Sequence, residues 1–272
     1  MSAPNEIAPE KLARLIGLPT TPCIVDVRVD DDFTADPRLI PGTVRRNHRD
    51  VADWAPGFAG ADVVVVCHHG AKLSQGVAAW LRHHGADAIT LAGGHVAWAA
   101  AGLPLVPAAA IPPRDAQGRT LWVTRARPKV DRIACPWLIR RFIDRDAVFL
   151  FVAPSEVLMV AERFSATAFD TEGAPWTHDG GLCTFDTMLA GFGLATDPLL
   201  RFATIIRAAD TARLDLAPEA AGLLAASLGL SRLHADDLRQ LDAGLALYDA
   251  FFRWCRDATD ETHNWPASRV KP

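Results

Sequence analysis

Ala61–Ser74 reads ADVVVVCHHGAKLS. Four consecutive valines form a β-branched apolar run of the kind that fills a strand buried on both faces of a parallel sheet. Cys67 ends the run, a short loop follows, and SQGVAAWLRHHG (74–85) then has the apolar spacing of a helix. A cysteine at the carboxyl end of such a strand sits at the ligand-binding edge of an open α/β sheet. Amides of the loop and of the helix start would point at its sulfur and favour a thiolate, or an anion carried on it. Gly70 lets the loop curl tightly. A phosphatase with a cysteine nucleophile needs an arginine fork six residues on, to hold three phosphoryl oxygens. That position is Leu73, and the nearest cation is Lys72. The loop therefore favours sulfur transfer over phosphate hydrolysis. The plain alternative is a small apolar cysteine closing a core strand.

The flanking segments extend the pattern. PCIVDVRVDDDF (22–33) places Asp26-Val27-Arg28 after an apolar strand, and Ile40-Pro41-Gly42 follows at a turn. AITLAGGHVAWAAAGLPLV (88–106) reads as a strand, a Gly93-Gly94 turn, a short amphipathic helix and a Gly102-Leu103-Pro104 stop. The order of these motifs resembles the single-domain rhodanese family. That resemblance implies an α/β domain with a central parallel sheet, with Cys67 as the carrier of a persulfide and Lys72 assisting it. It also implies that His68, His69, Gly70, Ala71, Leu73 and Ser74 form the anion-binding loop, with Asp26 and Arg28 in support. The chain departs from the common family loop in having Lys72 where arginine is usual, and histidines at positions 68 and 69.

The 272 residues are enough for two domains, and 50% hydrophobic against 22% charged residues is ordinary for a chain with a good core. A net charge of −4 gives no electrostatic case for nucleic-acid binding. The start, MSAPNEIAPEKLARL, lacks the basic and apolar regions of a secretion signal, and charges, Gly or Pro break every long apolar run. Five scattered cysteines fit reduced thiols better than a disulfide scaffold. The expectation is a cytoplasmic protein with no membrane contact.

PLVPAAAIPPRDAQG (104–118) reads as a semi-extended, proline-rich connector. It divides the chain into a first domain over 1–107, a linker over 108–120, a second domain over 121–258 and a polar tail over 259–272. In the second domain, Leu121–Thr124 and VFLFV (148–152) read as strands, and Pro136 as the opening of a helix. From about Thr184 the pattern turns helical, with Pro198 and Pro218 at first-turn positions, Asp197 as an N-cap and Gly229 as a helix stop. The expected fold is α+β and mostly helical.

Polar residues in this half are placed oddly for a plain core. Asp131, Arg132 and Cys135 precede the expected helix, and DTEGAPWTHDGGLCTFD (170–186) holds Asp170, Glu172, His178, Asp179, Cys183 and Asp186. The Gly180-Gly181 turn can fold His178 and Cys183 towards one point, and imidazole with thiolate and carboxylate suits zinc or iron. The candidate metal set is His178, Cys183, Glu172 and Asp186, with Asp131, Arg132, Cys135 and Asp210 as further candidates. A structural role fits too, with Cys183 as a small hydrophobe, Asp186 as a helix N-terminal acid and Asp170 as a turn former. RPKVDRIACPWLIRRFID (127–144), HDGGLCTFD (178–186), RAADT (207–211), LAPEAAGLLAASLGLSRLHADD (216–237) and YDAFFRWC (248–255) resemble the C-terminal domain of the chromate-resistance protein ChrB. The resemblance implies a setting of chromate resistance without fixing a reaction.

Together these readings give a sulfurtransferase whose donor and acceptor are small molecules such as thiosulfate or a thiol persulfide, with chromate or another oxyanion as a related ligand. A sensor that binds an oxyanion or metal without turnover, and a metal-dependent redox enzyme centred on the second domain, are the alternatives.

Overall fold

Val63, Val64, Val65 and Val66 are each 1% exposed or less, because their strand is covered on both faces. The computed structural model describes residues 5–261; the tail residues beyond 261, His263 and Trp265 among them, lie outside the described residues. The first region contains β1 (Glu6–Ile7), α1 (Pro9–Leu15), β2 (Cys23–Asp26), α2 (Asp30–Ala35), β3 (Arg38–Leu39), β4 (Thr43–Arg45) and α3 (Val51–Trp54). It continues with β5 (Asp62–Val66), α4 (Lys72–His83), β6 (Asp87–Leu91), α5 (Gly94–Ala100) and β7 (Val106–Pro107). Five strands form a sheet in the order β1-β6-β5-β2-β4, every pair parallel. The valine run is the central strand. Its alternate side chains enter different cores, as the two-residue period of a strand requires. Val63 and Val65 pack with Val77, Ala78 and Leu81 of α4, whereas Val64 and Val66 join a core containing Leu12, Ile16, Trp98 and much of the second region.

The second region contains β8 (Leu121–Arg125), α6 (Asp131–Phe142), β9 (Val148–Val152), α7 (Val157–Phe164) and β10 (Thr167–Ala168). Then come α8 (Thr184–Gly191), α9 (Asp197–Asp210), α10 (Ala220–Leu233) and α11 (Asp237–Asp257). A small parallel sheet, β10-β8-β9, is followed by the helical half. At the centre of that half lies Trp137, fully buried, with the rings of Phe252, Phe202 and Phe142 at 5.2, 5.3 and 5.7 Å. Its indole N–H donates to Asp249 Oδ1 at 2.8 Å, so the polar tip is paired inside the aromatic cluster.

Several boundaries differ from the sequence reading. α6 begins at Asp131, not Pro136, because the Val130 carbonyl accepts from Ile133 and Ala134 and starts the helix early. Pro136 then lies inside the helix and forgoes the bond to the Arg132 carbonyl that another residue there would make. Asp197 is the first helical residue after Thr196, Pro218 precedes α10, and α10 runs on through Gly229. Residues 108–120 are pinned to the body rather than extended: Ala110 and Ile111 pack on the shared core, Arg114 bridges to Thr120, and Thr120 donates from its amide and hydroxyl to Asp144 Oδ2. Among the described residues no helix is long and apolar enough to cross a membrane.

The two regions meet at the amino-terminal ends of the first sheet. Arg145 donates to the Thr21 carbonyl at 2.6 Å and to Cys23 Sγ at 2.7 Å, and the Gly42 amide donates to the Phe142 carbonyl at 2.6 Å. Gly17, at φ +83°, lies where a Cβ would press on the rings of Phe142 and Phe252.

A buried ion pair fastens the loop beyond β2. Arg28 and Asp26 are both 2% exposed, with Arg28 Nε donating to Asp26 Oδ2 at 2.8 Å. The same guanidinium donates to the carbonyls of Asp36 and Arg38, at 2.9 and 2.8 Å, and so ties down the chain entering β3. Removing one partner of such a pair strands the other charge, so Arg28→Ala is expected to lower stability by ~3–5 kcal/mol. Urea unfolding checks this, and a loss below ~1 kcal/mol would mean that water reaches Asp26.

Candidate functional site

Strand β5 delivers Cys67 to the carboxyl edge of the sheet, opposite the edge where the second region docks. Cys67 is 5% exposed. Its thiol donates to Ser74 Oγ at 3.2 Å, and that hydroxyl donates to the Ala71 carbonyl at 3.0 Å. Ser74 belongs to the first turn of α4 and is itself buried, so the sulfur is held against the start of the helix.

The backbone around the sulfur is set by close packing of glycines. Gly70 has φ +67°, and a Cβ there would press on the Leu91 carbonyl and the amides of Gly93 and Gly94. Gly94, at φ +61°, lies so close to the Cys67 carbonyl that no side chain fits. That carbonyl accepts from the His95 amide at 2.9 Å, and the His68 carbonyl accepts from Val96 at 3.1 Å. At the start of the loop the carbonyls of Cys67 and His68 are thus turned towards α5. The loop's amides are left over: among the described residues, none from His68 to Ser74 donates to a protein acceptor. His69, Ala71 and Lys72 are exposed, while His68 and Leu73 are half-buried. The His68 and His69 rings meet edge to face, 4.4 Å apart. Asp26 and Arg28, at the carboxyl end of the neighbouring strand, are engaged with each other and with the Asp36–Arg38 backbone; their observed contacts are structural.

The second region gathers a different set of polar residues from the one its sequence suggests. Asp131 Oδ2, Asp170 Oδ1 and Asp210 Oδ2 lie 3.6, 3.3 and 3.3 Å from His178 Nε2. Among the described residues, Asp131, Asp170 and His178 are the group whose donor atoms converge closely enough to hold a metal ion. Cys183, Glu172 and Asp186 do not belong to it. The Cys183 amide donates to Asp186 Oδ2 at 3.1 Å and its thiol lies 3.3 Å from the same oxygen, closing a capping box on α8. Asp186 Oδ1 also accepts from Arg207 at 2.6 Å, and Glu172 is exposed. The Gly180-Gly181 turn closes a hairpin between Asp179 and Leu182, but Cys183 turns into the helix cap instead of joining His178.

Asp131 sets the start of α8, its two oxygens accepting from the amides of Thr184 at 2.6 Å and Phe185 at 3.1 Å. Burial, then Asp210 and Asp170, push its carboxyl well above the usual range. Asp210 is pushed upwards by burial and by Asp170, with His178 and Arg132 acting the other way. Arg125 and Arg132 hold Asp170 Oδ2 at 2.9 and 3.2 Å. Cys135 is fully buried, its thiol 3.8 Å from Asp131 Oδ1, and burial followed by the charge of Asp131 pushes it well above the usual thiol range. Burial of this kind favours the neutral thiol over the thiolate. Asp170 carries most of the cluster's contacts, yet alone in sequence it reads as a turn residue; its φ of +50° is consistent with both roles.

His95, directly behind the cysteine loop, is 2% exposed and contacts Asp36 Oδ2 through Nε2 at 3.0 Å. Burial lowers its pKa below the ordinary value, although Asp36 opposes the shift. The unfolded chain therefore takes up the proton first, and stability is lost as pH falls through the unfolded value of ~6.5. Replacing His95 with Asn is expected to flatten the decline in melting temperature between about pH 6.5 and 5. An unchanged slope in scanning calorimetry would show that His95 is protonated equally in both states.

The family model described as "Rhodanese-like domain" matches residues 8–101, and that described as "ChrB, C-terminal domain" matches residues 122–255. Protein ChrB of Cupriavidus metallidurans is 41% identical over 142 residues, which cover 50% of this chain and 42% of that protein. The chain thus matches less than half of that relative's length. A rhodanese-like domain protein from Staphylococcus aureus is 28% identical with a TM-score of 0.31, over 35% of this chain and 90% of that one. A rhodanese-related protein from Thermoplasma volcanium is 20% identical with a TM-score of 0.33, over 38% of this chain and 97% of that one. The chain joins a rhodanese-like domain, with its parallel sheet and sulfurtransferase-type fold, to a mostly helical ChrB C-terminal domain.

Proposed function

We propose that this protein is a sulfurtransferase that carries sulfane sulfur as a persulfide on Cys67. The observation that supports it most is the run of amides from His68 to Ser74 with no protein acceptor, directly following a cysteine at the end of the central strand. Such a run, at the head of a helix, is suited to an anion attached to or arriving at the sulfur. In the first half-reaction the Cys67 thiolate attacks the sulfane sulfur of thiosulfate. The S–S bond of the donor breaks, sulfite leaves with the electron pair, and Cys67 keeps the sulfur as a persulfide. In the second, an acceptor nucleophile such as a thiolate attacks the terminal sulfur, and the Cys67 thiolate leaves. Ser74 Oγ, 3.2 Å from the sulfur, orients the thiol, and exposed Lys72 draws the anionic donor to the loop. An oxyanion such as chromate would compete for the same amides.

Intact-mass measurement after incubation with thiosulfate is expected to show the gain of one sulfur atom, reversed by a thiol and missing in Cys67→Ser. Lys72→Ala is expected to keep the modification but to lower kcat/KM for thiosulfate about fivefold, the worth of ~1 kcal/mol from an exposed charge. A wild-type protein that never acquires sulfur, from thiosulfate or from a thiol persulfide, would favour a binding or sensing role instead.

A further inference from the structure

We propose that Asp131, Asp170 and His178 form a binding site for a divalent transition ion of the manganese, iron or zinc class, with Asp210 beside His178 at its rim. The four residues come from four separate places in the chain: the first turn of α6, the segment after β10, the hairpin before α8, and the end of α9. The inference is independent of the chemistry at Cys67.

Hydrogen bonding does not account for the arrangement. One imidazole nitrogen carries at most one hydrogen, so Nε2 can satisfy one of the three carboxylates around it. The three oxygens stand 3.3, 3.3 and 3.6 Å away, all beyond the usual ~2.7–3.2 Å of an N–H···O bond. Those separations instead match the edges of a coordination tetrahedron: ligands bound at ~2.0–2.2 Å in that geometry lie ~3.3–3.6 Å from one another. Asp131 and Asp170 are 1% and 5% exposed, a degree of burial that carboxylates tolerate when paired or bound to a cation.

The carboxylates are also held from behind, as ligands of a metal centre are. Asp131 accepts from the Thr184 and Phe185 amides, Asp170 Oδ1 accepts from Thr184 Oγ1 at 3.1 Å, and Arg125 and Arg132 occupy Asp170 Oδ2. The two arginines therefore leave Oδ1 directed at His178. Both guanidiniums sit on Asp170 Oδ2, and among the described residues neither Asp131 nor Asp210 pairs with a lysine or arginine. One imidazole with carboxylate oxygens selects manganese, iron or zinc over a thiolate-seeking ion such as copper(I). The side chains of His178 and Asp210, 41% and 19% exposed, leave a path from solvent.

Protein purified without chelators and dialysed against manganese or zinc chloride, then against metal-free buffer, is measured by ICP-MS and by thermal melting. A stoichiometric ion is expected in the wild type, with a melting temperature raised by the metal and restored by EDTA. His178→Ala, at a half-exposed position, is expected to lose the ion and the metal-dependent shift while melting as the EDTA-treated wild type does. Cys183→Ser, outside the donor set, and His83→Gln, at the exposed end of α4, are expected to retain both. Failure of the wild type to hold either metal would overturn the site, as would an ion kept unchanged in His178→Ala.

Discussion

Because Val63 and Val65 pack into one core while Val64 and Val66 pack into another, β5 has no face to spare for polar chemistry. Reactive groups on a strand buried this way can only sit past its end. Cys67 is the first residue there, and its neighbours follow from that position. The chain must turn at once into α4, the turn must pass the Gly93-Gly94 corner at van der Waals distance, and glycine at position 70 is the residue that lets it do so. With the Cys67 and His68 carbonyls drawn to α5, the amides from His68 to Ser74 are left without a protein acceptor among the described residues.

The second region obeys a related rule with different parts. Its aromatic core around Trp137 fixes α6, α8, α9 and α11 relative to one another, and those helix ends bring Asp131, Asp210 and the hairpin of His178 together. Asp131 links the core to the cluster, since the carboxylate facing His178 also receives the first amides of α8.

Most of the first region was legible in sequence because its signals are local. A valine run, a glycine corner and a helix spacing lie within a few residues of one another, and each limits backbone geometry directly. The second site was legible in its members but not in its grouping. His178 and Cys183 flank a tight turn, and proximity in sequence made them partners; the structure gives Cys183 to a helix cap, an equally local use of the same residue. Asp131 and Asp210 are joined to His178 only through packing between α6, α8 and α9, which no short-range pattern encodes. The early start of α6 escaped notice for a similar reason. Proline is a strong mark of a helix start, but here tertiary contacts hold the helix for five residues before it.

The shared core bears on how such a chain can be assembled from parts. Leu12, Ile16 and Trp98 belong to the rhodanese-like region by sequence, yet they are covered together with Phe142 and Phe252 of its neighbour. Cut at the proline-rich junction, each half would present an oily flank to water, an invitation to aggregate. The two regions are therefore less like beads on a string than like halves of a hinge pin. Exchange of either one for another module demands compensating change across the seam, at the glycine beside Phe142 and at the aromatic rings that meet it.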